Sequence, residues 1–310
     1  MERMLSLGFE DVIDLTSAHR FAEVGATAVS VTAGRVDWTA FPWPEHEASW
    51  APWVRDTQRD YVAEAIAAAG DRTLAVIVDV MVEGWISRDP SIAGVDARGQ
   101  RSTEFASVSA LGGVVGAAIV ELTAEVVRRY GCTVTLTELF LDRWTFGDDD
   151  LSLFRQFASV GDWPRTEAGE INEAHPSIGQ WRSDAVAGLV ARCAAEARAV
   201  GHELHVEVRA HWDGPTARDG QDYERLLAVS DRLVIWGYSA LAGRLTSDLE
   251  RLAREAPAGS TLSIGLWQLS APDLRRSVNA ASLGGAASVA IVPMSLMTDS
   301  HWVALASIWR

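Results

Sequence analysis

The sequence predicts a (β/α)8 barrel, and three observations carry that reading. β-rich apolar runs alternate with longer amphipathic stretches along the whole chain, which is the pattern of repeated βα units. Eight such pairs fit into 310 residues. No glycine-rich phosphate fingerprint, the mark of an open doubly wound sheet, follows any early strand. A chain of this length can bury one large core and is short for two, so one domain is expected over residues 1–310.

Taken in order, the predicted strands are MLSLGF (4–9), ATAVSVTA (26–33), TLAVIVDVMV (73–82), CTVTLTELFLD (132–142), ELHVEVRAH (203–211), RLVIWGY (232–238), TLSIGLW (261–267) and ASVAIVP (287–293). Each is rich in Val, Ile, Leu or Thr and short enough for a barrel stave. The clearest helices between them are RDYVAEAIAAAG, GGVVGAAIVELTAEVVRRYG, RSDAVAGLVARCAAEARAVG and APDLRRSVNAASLGG. Gly70, Gly131 and Gly201 stand where the first three of these end, just before the next strand, as expected of helix C-caps leading into short loops. The loops after strands 2, 3 and 4 are long, and in a barrel those loops build the active face. The loop after strand 2 carries Trp38, Phe41, Trp43, Trp50 and Trp53; the loop after strand 4, about 145–178, is expected to act as a lid or cleft wall.

Composition narrows the function. A formal net charge of −15 disfavours nucleic acid and anionic membrane surfaces as partners. All 27 basic residues are arginine, which excludes a Schiff-base or P-loop lysine. Cys132 and Cys193 are the only cysteines, no secretory leader pattern opens the chain and no apolar run approaches ~18 residues, so a cytoplasmic, reduced protein is the expectation. The 13 tryptophans exceed what a core needs, because each indole N–H wants a partner, and they are the first pointer to a ligand.

Side chains two residues apart share a face of a strand, so parity identifies polar groups that converge on the barrel axis. Asp79 and Glu83 share parity on strand 3, Glu138, Phe140 and Asp142 on strand 4, and Glu207, Arg209, His211 and Asp213 on strand 5; strands 6 and 7 add Trp236, Tyr238 and Trp267. Charges alternating along ELHVEVRAHWD are too costly to bury against helices and should point inward. For Glu207 and Arg209 an ion pair with neighbouring strands competes evenly with a functional role. On one strand Glu138 and Asp142 would stand about 13 Å apart at ~3.3 Å per residue, so they are not each other's catalytic partner. A glycosidase needs two carboxyls roughly 5 to 9.5 Å apart, available between neighbouring strands, as for Asp142 with Glu83 or Asp213. Trp85, Trp144 and Trp212 follow Glu83, Asp142 and His211 closely, offering low polarity for a protonated acid and flat faces for sugar rings. His202, His205 and His211 are spaced for structural rather than metal-binding roles, and neither a metal nor a cofactor is expected.

The segment from Trp85 through VVRRYGCTVTLTELFLDRWTF to WRSDAVAGLVARCAAEARAVGHELHVEVRA resembles the family 10-like glycosyl hydrolases, in which strand 4 ends in an aspartate followed by an aromatic and an arginine; here the stretch reads Leu141-Asp142-Arg143-Trp144. LVIWGYSAL and LSIGLW are more distantly similar to the strand-6 and strand-7 segments of family 18 chitinases. The resemblance covers about 70–295 and implies a glycoside or polysaccharide substrate, with Asp142 as the strand-4 acid. The chitinase acidic motif is replaced by Glu138, Phe140 and Asp142, and Trp267 and Gln268 stand where many retaining glycosidases place a strand-7 glutamate.

The expected function is therefore glycoside hydrolysis by two carboxylates. Asp142 is the acid/base, its partner one of Glu83, Glu138, Glu207 and Asp213. Asp79, Arg143, Arg209, His211 and Tyr238 are expected to hydrogen-bond sugar hydroxyls or tune carboxylates, and Trp38, Trp85, Trp144, Trp212, Trp236 and Trp267 to form stacking platforms. The competing readings are a catalytically silent carbohydrate-binding barrel and a lyase or isomerase with His211 as base.

Overall fold

The computed structural model describes residues 1–9, 11–214 and 218–310. Eight parallel strands form a closed ring: β1 (Glu2–Leu7), β2 (Ala28–Arg35), β3 (Thr73–Asp79), β4 (Thr133–Thr137), β5 (Leu204–Arg209), β6 (Arg232–Trp236), β7 (Thr261–Gly265) and β8 (Ser288–Val292). Each pairs with the next, and β1 closes the ring by pairing with both β2 and β8. Helices stand between successive strands, so the fold is the predicted (β/α)8 barrel. The four predicted helices appear as Tyr61–Ala69, Val114–Tyr130, Pro176–Ala199 and Ala271–Leu283. No helix of the described residues is long and apolar enough to cross a membrane.

Two residue sets alternate along the strands and divide the interior into two cores. Leu5, Leu7, Val29, Val31, Val76, Val78, Val134, Leu136, Val206 and Val208 join the large apolar cluster that includes Ile119, Leu122 and Val126 of the helix after β3. The opposite parity is small and polar: Ser6, Ser30, Thr32, Thr135, Thr137 and Ser263 are all buried. Met4, Ala28 and Ala290 form a separate small cluster lower in the barrel. Small residues on the axis leave room at the barrel mouth, where larger side chains would have filled it.

Six strands are shorter than predicted, and at two of them the difference has consequences for the mouth. β3 ends at Asp79, and Glu83 opens a short helix, Glu83–Arg88, instead of extending the strand. β4 ends at Thr137 because Glu138 turns left-handed, with φ of 58°. The run Leu139-Phe140-Leu141 reads as strand because it is apolar, yet it is a loop folded into the core, with Leu139 and Leu141 each 1% exposed. Leu141 N donates to Asp219 O, and Gln221 Nε2 donates to Leu139 O.

The long loops are structured. After β2, Trp38–Thr39 returns antiparallel to the strand end, where a Cβ on Gly34 would meet the Trp38 carbonyl at 2.1 Å; only glycine fits there. After β3, Ala93–Val95 and Arg101–Ala106 form a hairpin. The stretch after β4, expected as a lid without regular structure, contains the helix Asp148–Ala158, pinned where Phe154 stacks on Trp163 at 4.6 Å and meets Trp181 at 5.6 Å. The Asp148-Asp149-Asp150 run is the first turn of that helix, and buried Asp150 accepts from Ser109 N at 2.8 Å.

Candidate active site

The C-terminal ends of the strands surround a cavity of about 370 Å3, lined by Ser6, Thr32, Asp79, Thr137, Glu138, Glu207, Tyr238 and Trp267 among others. Three of these are carboxylates contributed by consecutive strands. Asp79, the last residue of β3, stands opposite Thr137 of β4 in the parallel register, and Thr137 Oγ1 donates to Glu207 Oε2 of β5 at 2.6 Å. Glu138 follows Thr137 directly, so one tier of the mouth holds all three.

Their environments differ. Asp79 is 1% exposed; Oδ1 accepts from Met81 N at 2.8 Å, while Oδ2 is buried without a partner. Burial pushes its carboxyl up to about 6, against the Met81 N–H and the Arg35 guanidinium, with Asp37 and Glu207 adding to the rise. Glu138 is pushed up to about 7, first by burial, then by the negative charges of Asp79 and Glu207, with Arg209 opposing. Glu207 is also raised by burial, but Thr137 and Trp236 both donate to its Oε2, the latter at 2.8 Å, and favour the carboxylate. The arrangement thus offers a carboxyl poised to be protonated near neutral pH beside one supplied with donors. Glu138 pays for its place with left-handed backbone, which costs a non-glycine residue roughly 1–2 kcal/mol and tends to occur at functional positions.

An aromatic wall flanks the carboxylates. Tyr238 stacks on Trp236 at 5.7 Å and 11° and meets Trp267 at 5.2 Å. Trp267 is 38% exposed, leaving much of its indole open. Burial, and then the charge of Glu207, holds the Tyr238 phenol well above its ordinary range, so it remains a hydrogen-bond donor. On the far side of Tyr238 a second cavity, about 290 Å3, is lined by Arg209, Trp212, Trp236 and Leu241 among others. A third, about 560 Å3, is lined by Asp142, Arg143, Trp144, Glu173, Arg182 and Arg218.

The remaining predicted residues fall outside the carboxylate tier. Asp142 lines the third cavity and pairs with Arg209 Nη1 at 2.6 Å; it lies five residues past the end of β4, not on it. Arg209 therefore bonds Asp142 rather than Glu207, and its guanidinium lies 3.7 Å above the Phe140 ring. Glu83 is exposed, 3.8 Å from Arg35, and Asp213 is exposed and paired with Arg244; neither is among the residues lining the cavity of Asp142. Trp38 packs beneath Phe9, itself a lining residue, and Trp85 packs at the edge of the core from its short helix. Arg143 and Trp144 line the third cavity, Trp212 and Trp236 the second. His211 stacks on Tyr223 at 4.0 Å, and burial lowers its pKa; its Nε2 is buried without a partner. No cluster of His, Cys, Asp or Glu among the described residues is arranged to hold a metal ion.

Sequence reasoning missed Thr137, Ser6 and Thr32. The alternation Thr133, Thr135, Thr137 along TVTLT carried the signal for the first, since it repeats the inward parity.

No family model matches the chain, and no curated protein matches it. Among solved structures it is similar to the β-galactosidase of Marinomonas ef1, at TM-score 0.74 and 12% identity over the whole chain, which spans 59% of that protein's length. It is also similar to the catalytic domain of the β-amylase of Paenibacillus polymyxa, at TM-score 0.66 and 11% identity, covering 97% of this chain and 94% of that one. A class V chitinase of Pseudomonas fluorescens Pf-5 follows at TM-score 0.57 and 11% identity, over 100% and 99% of the two chains. At these identities the likeness is one of fold: the barrel is the TIM barrel found in these glycoside hydrolases.

Proposed function

We propose that this protein is a glycoside hydrolase in which Glu138 is the acid/base and Glu207 its carboxylate partner. The observation that carries the reading is the tier of three carboxylates at the ends of β3, β4 and β5 in a cavity also lined by Trp267, with Glu138 raised to about 7. Glu138 and Glu207 line the same cavity from neighbouring strand ends about 4.8 Å apart, an arrangement compatible with the span of roughly 5 to 9.5 Å used by retaining and inverting pairs. Protonated Glu138 donates its proton to the departing glycosidic oxygen. Ionised Glu207, its charge favoured by Thr137 and Trp236, acts at the anomeric carbon directly or through a water. Asp79 works from below: its charge helps keep Glu138 protonated, and its unpartnered Oδ2 can accept from a sugar hydroxyl. Trp267 and Tyr238 supply the apolar faces on which a sugar ring packs. Asp142, committed to Arg209 and set in another cavity, is assigned to substrate binding instead of proton transfer.

The test is a panel of polysaccharides and aryl glycosides assayed with wild type, Glu138→Gln and Glu207→Gln, following reducing sugar and released aglycone. Turnover by wild type with losses of about 10²–10⁴-fold in each variant is expected. Silence from all three, with tryptophan fluorescence quenched by an oligosaccharide, would point to the carbohydrate-binding barrel.

A further inference from the structure

The third cavity carries a feature that sugar hydroxyls alone do not account for. Arg182, on the helix after β4, is 2% exposed, yet no carboxylate of the described residues lies within ion-pair distance of it. Its Nε and Nη2 donate to Thr145 Oγ1 at 2.9 and 2.7 Å and its Nη1 to Arg218 O at 2.5 Å, all neutral acceptors. Burial lowers it only to about 10, so it remains a cation at neutral pH. The carboxylates of Glu173, Asp142 and Asp219 act on it only from beyond contact distance, and a buried guanidinium bonded to neutral groups alone leaves room for the direct contact of an anion.

The surroundings fit such an anion. Arg143 is exposed at the rim, its guanidinium 4.5 Å above the Trp144 ring, and Arg218 also lines the space. Of the two acidic side chains present, Asp142 is neutralised by Arg209, and Glu173 is exposed to solvent. The lining thus sets three arginines against two acidic side chains, in a chain of net charge −15. Trp144 adds a ring face of the kind that packs on a sugar. Arg209, two residues beyond Glu207 on β5, connects this pocket through Asp142 to the cavity lined by Trp236 and Tyr238.

We propose that this cavity binds the carboxylate of a hexuronate residue, so that the barrel accepts an acidic oligosaccharide whose uronate unit is anchored by Arg143 and Arg182 while a neighbouring glycosidic bond lies over Glu138 and Glu207. The uronate anchor deepens the glycosidase reading and rests on it for the second half of that statement. Guanidinium pairs carboxylate in a planar, two-point contact that a neutral sugar hydroxymethyl group cannot reproduce.

Calorimetry with the full chain tests it, using trigalacturonate and triglucuronate as probes and their carboxyl-reduced neutral counterparts as controls. At least one acidic trimer is expected to bind ten-fold or more tightly than its neutral counterpart, with affinity falling as salt rises. Arg143→Ala, at an exposed position that tolerates truncation, is expected to reduce that preference at least three-fold, and Arg182→Gln to abolish it. Equal affinity for acidic and neutral trimers, no binding of either acidic trimer, or an undiminished preference in Arg143→Ala overturns the proposal. An acidic preference without turnover leaves the anchor standing and removes the hydrolase reading; turnover of glycosides without an acidic preference does the reverse.

Discussion

Thr137 donates its hydroxyl to Glu207 from the residue immediately before Glu138, so the strand-4 carboxyl and its strand-5 neighbour are tied together through one side chain. That link fixes the relative height of the two groups by backbone register, and it gives each a different electrostatic setting. Burial drives both up; Glu138 is raised further by two negative neighbours, whereas Glu207 receives a hydroxyl and an indole N–H that favour its carboxylate. Division of labour between two carboxylates follows from such asymmetry.

The pH dependence should report it. With Glu138 as acid, activity falls as pH rises through about 7, because the proton to be donated is lost. Asp79→Asn removes the negative charge that raises Glu138 most, so the alkaline limb of the pH profile of kcat/KM should move to lower pH. An alkaline limb unmoved by this substitution would separate Asp79 from the control of Glu138.

The same substitution has a stability consequence of definite sign. Asp79 rises from 3.8 to about 6 on folding, so the folded state holds its proton more tightly than the unfolded chain, and that contribution, present below pH 4, is lost as pH rises through about 6. The cost of the ionised group is about 3 kcal/mol above pH 7. Asp79→Asn should therefore gain in Tm relative to wild type between pH 4 and pH 8, a trend that thermal melts at the two pH values would read directly.

Trp236→Phe keeps the ring and deletes one donor to Glu207. A hydrogen bond to a charged group contributes about 1.5–3 kcal/mol, so Glu207 should become harder to ionise and the acidic limb of the pH profile should move upward. Steady-state kinetics across pH 4 to 9 checks this; an acidic limb in its wild-type place would mean that Trp236 does not tune the group that must be ionised.

Phe154→Ala tests the wall built from the stretch after β4. The ring is fully buried between Trp163 and Trp181, and its removal should cost about 3–5 kcal/mol in urea unfolding. A loss below 1 kcal/mol would show that this helix does not pack as described.

Much of this fold could be read from the sequence, because hydrophobic period and glycine caps are local signals: all eight strands and the four clearest helices overlap the segments that pattern alone picks out, though several strands end earlier. The site was less legible, for a reason visible at Glu138. The apolar run Leu139-Phe140-Leu141 imitates strand, so parity was carried five residues too far and Asp142 seemed to crown β4. The reversal at Glu138 depends on what lies below, the pairing of Leu139 and Leu141 backbone with Gln221 and Asp219, some 80 residues away in the chain. Glu83 and Asp213 likewise lie beyond the true strand ends, where alternation no longer dictates direction.

Asp142 and Glu138 can be told apart by substitution. Asp142→Asn breaks a charge pair with Arg209 at a partly exposed position, and its effect should be about ten-fold or less on kcat, against 10²–10⁴-fold for Glu138→Gln. Equal losses in the two variants would return the acid role to Asp142.

The most direct test of Glu138 as proton donor is the dependence of its loss on the leaving group. Kinetics of wild type and Glu138→Gln on a series of aryl glycosides, from dinitrophenyl to unsubstituted phenyl, would measure how far each aglycone needs protonation to depart. If Glu138 supplies that proton, the variant should lag little on the dinitrophenyl glycoside and progressively more as the leaving group becomes more basic. A deficit that stays constant along the series, or none at all, would contradict the assignment of the acid to the end of β4.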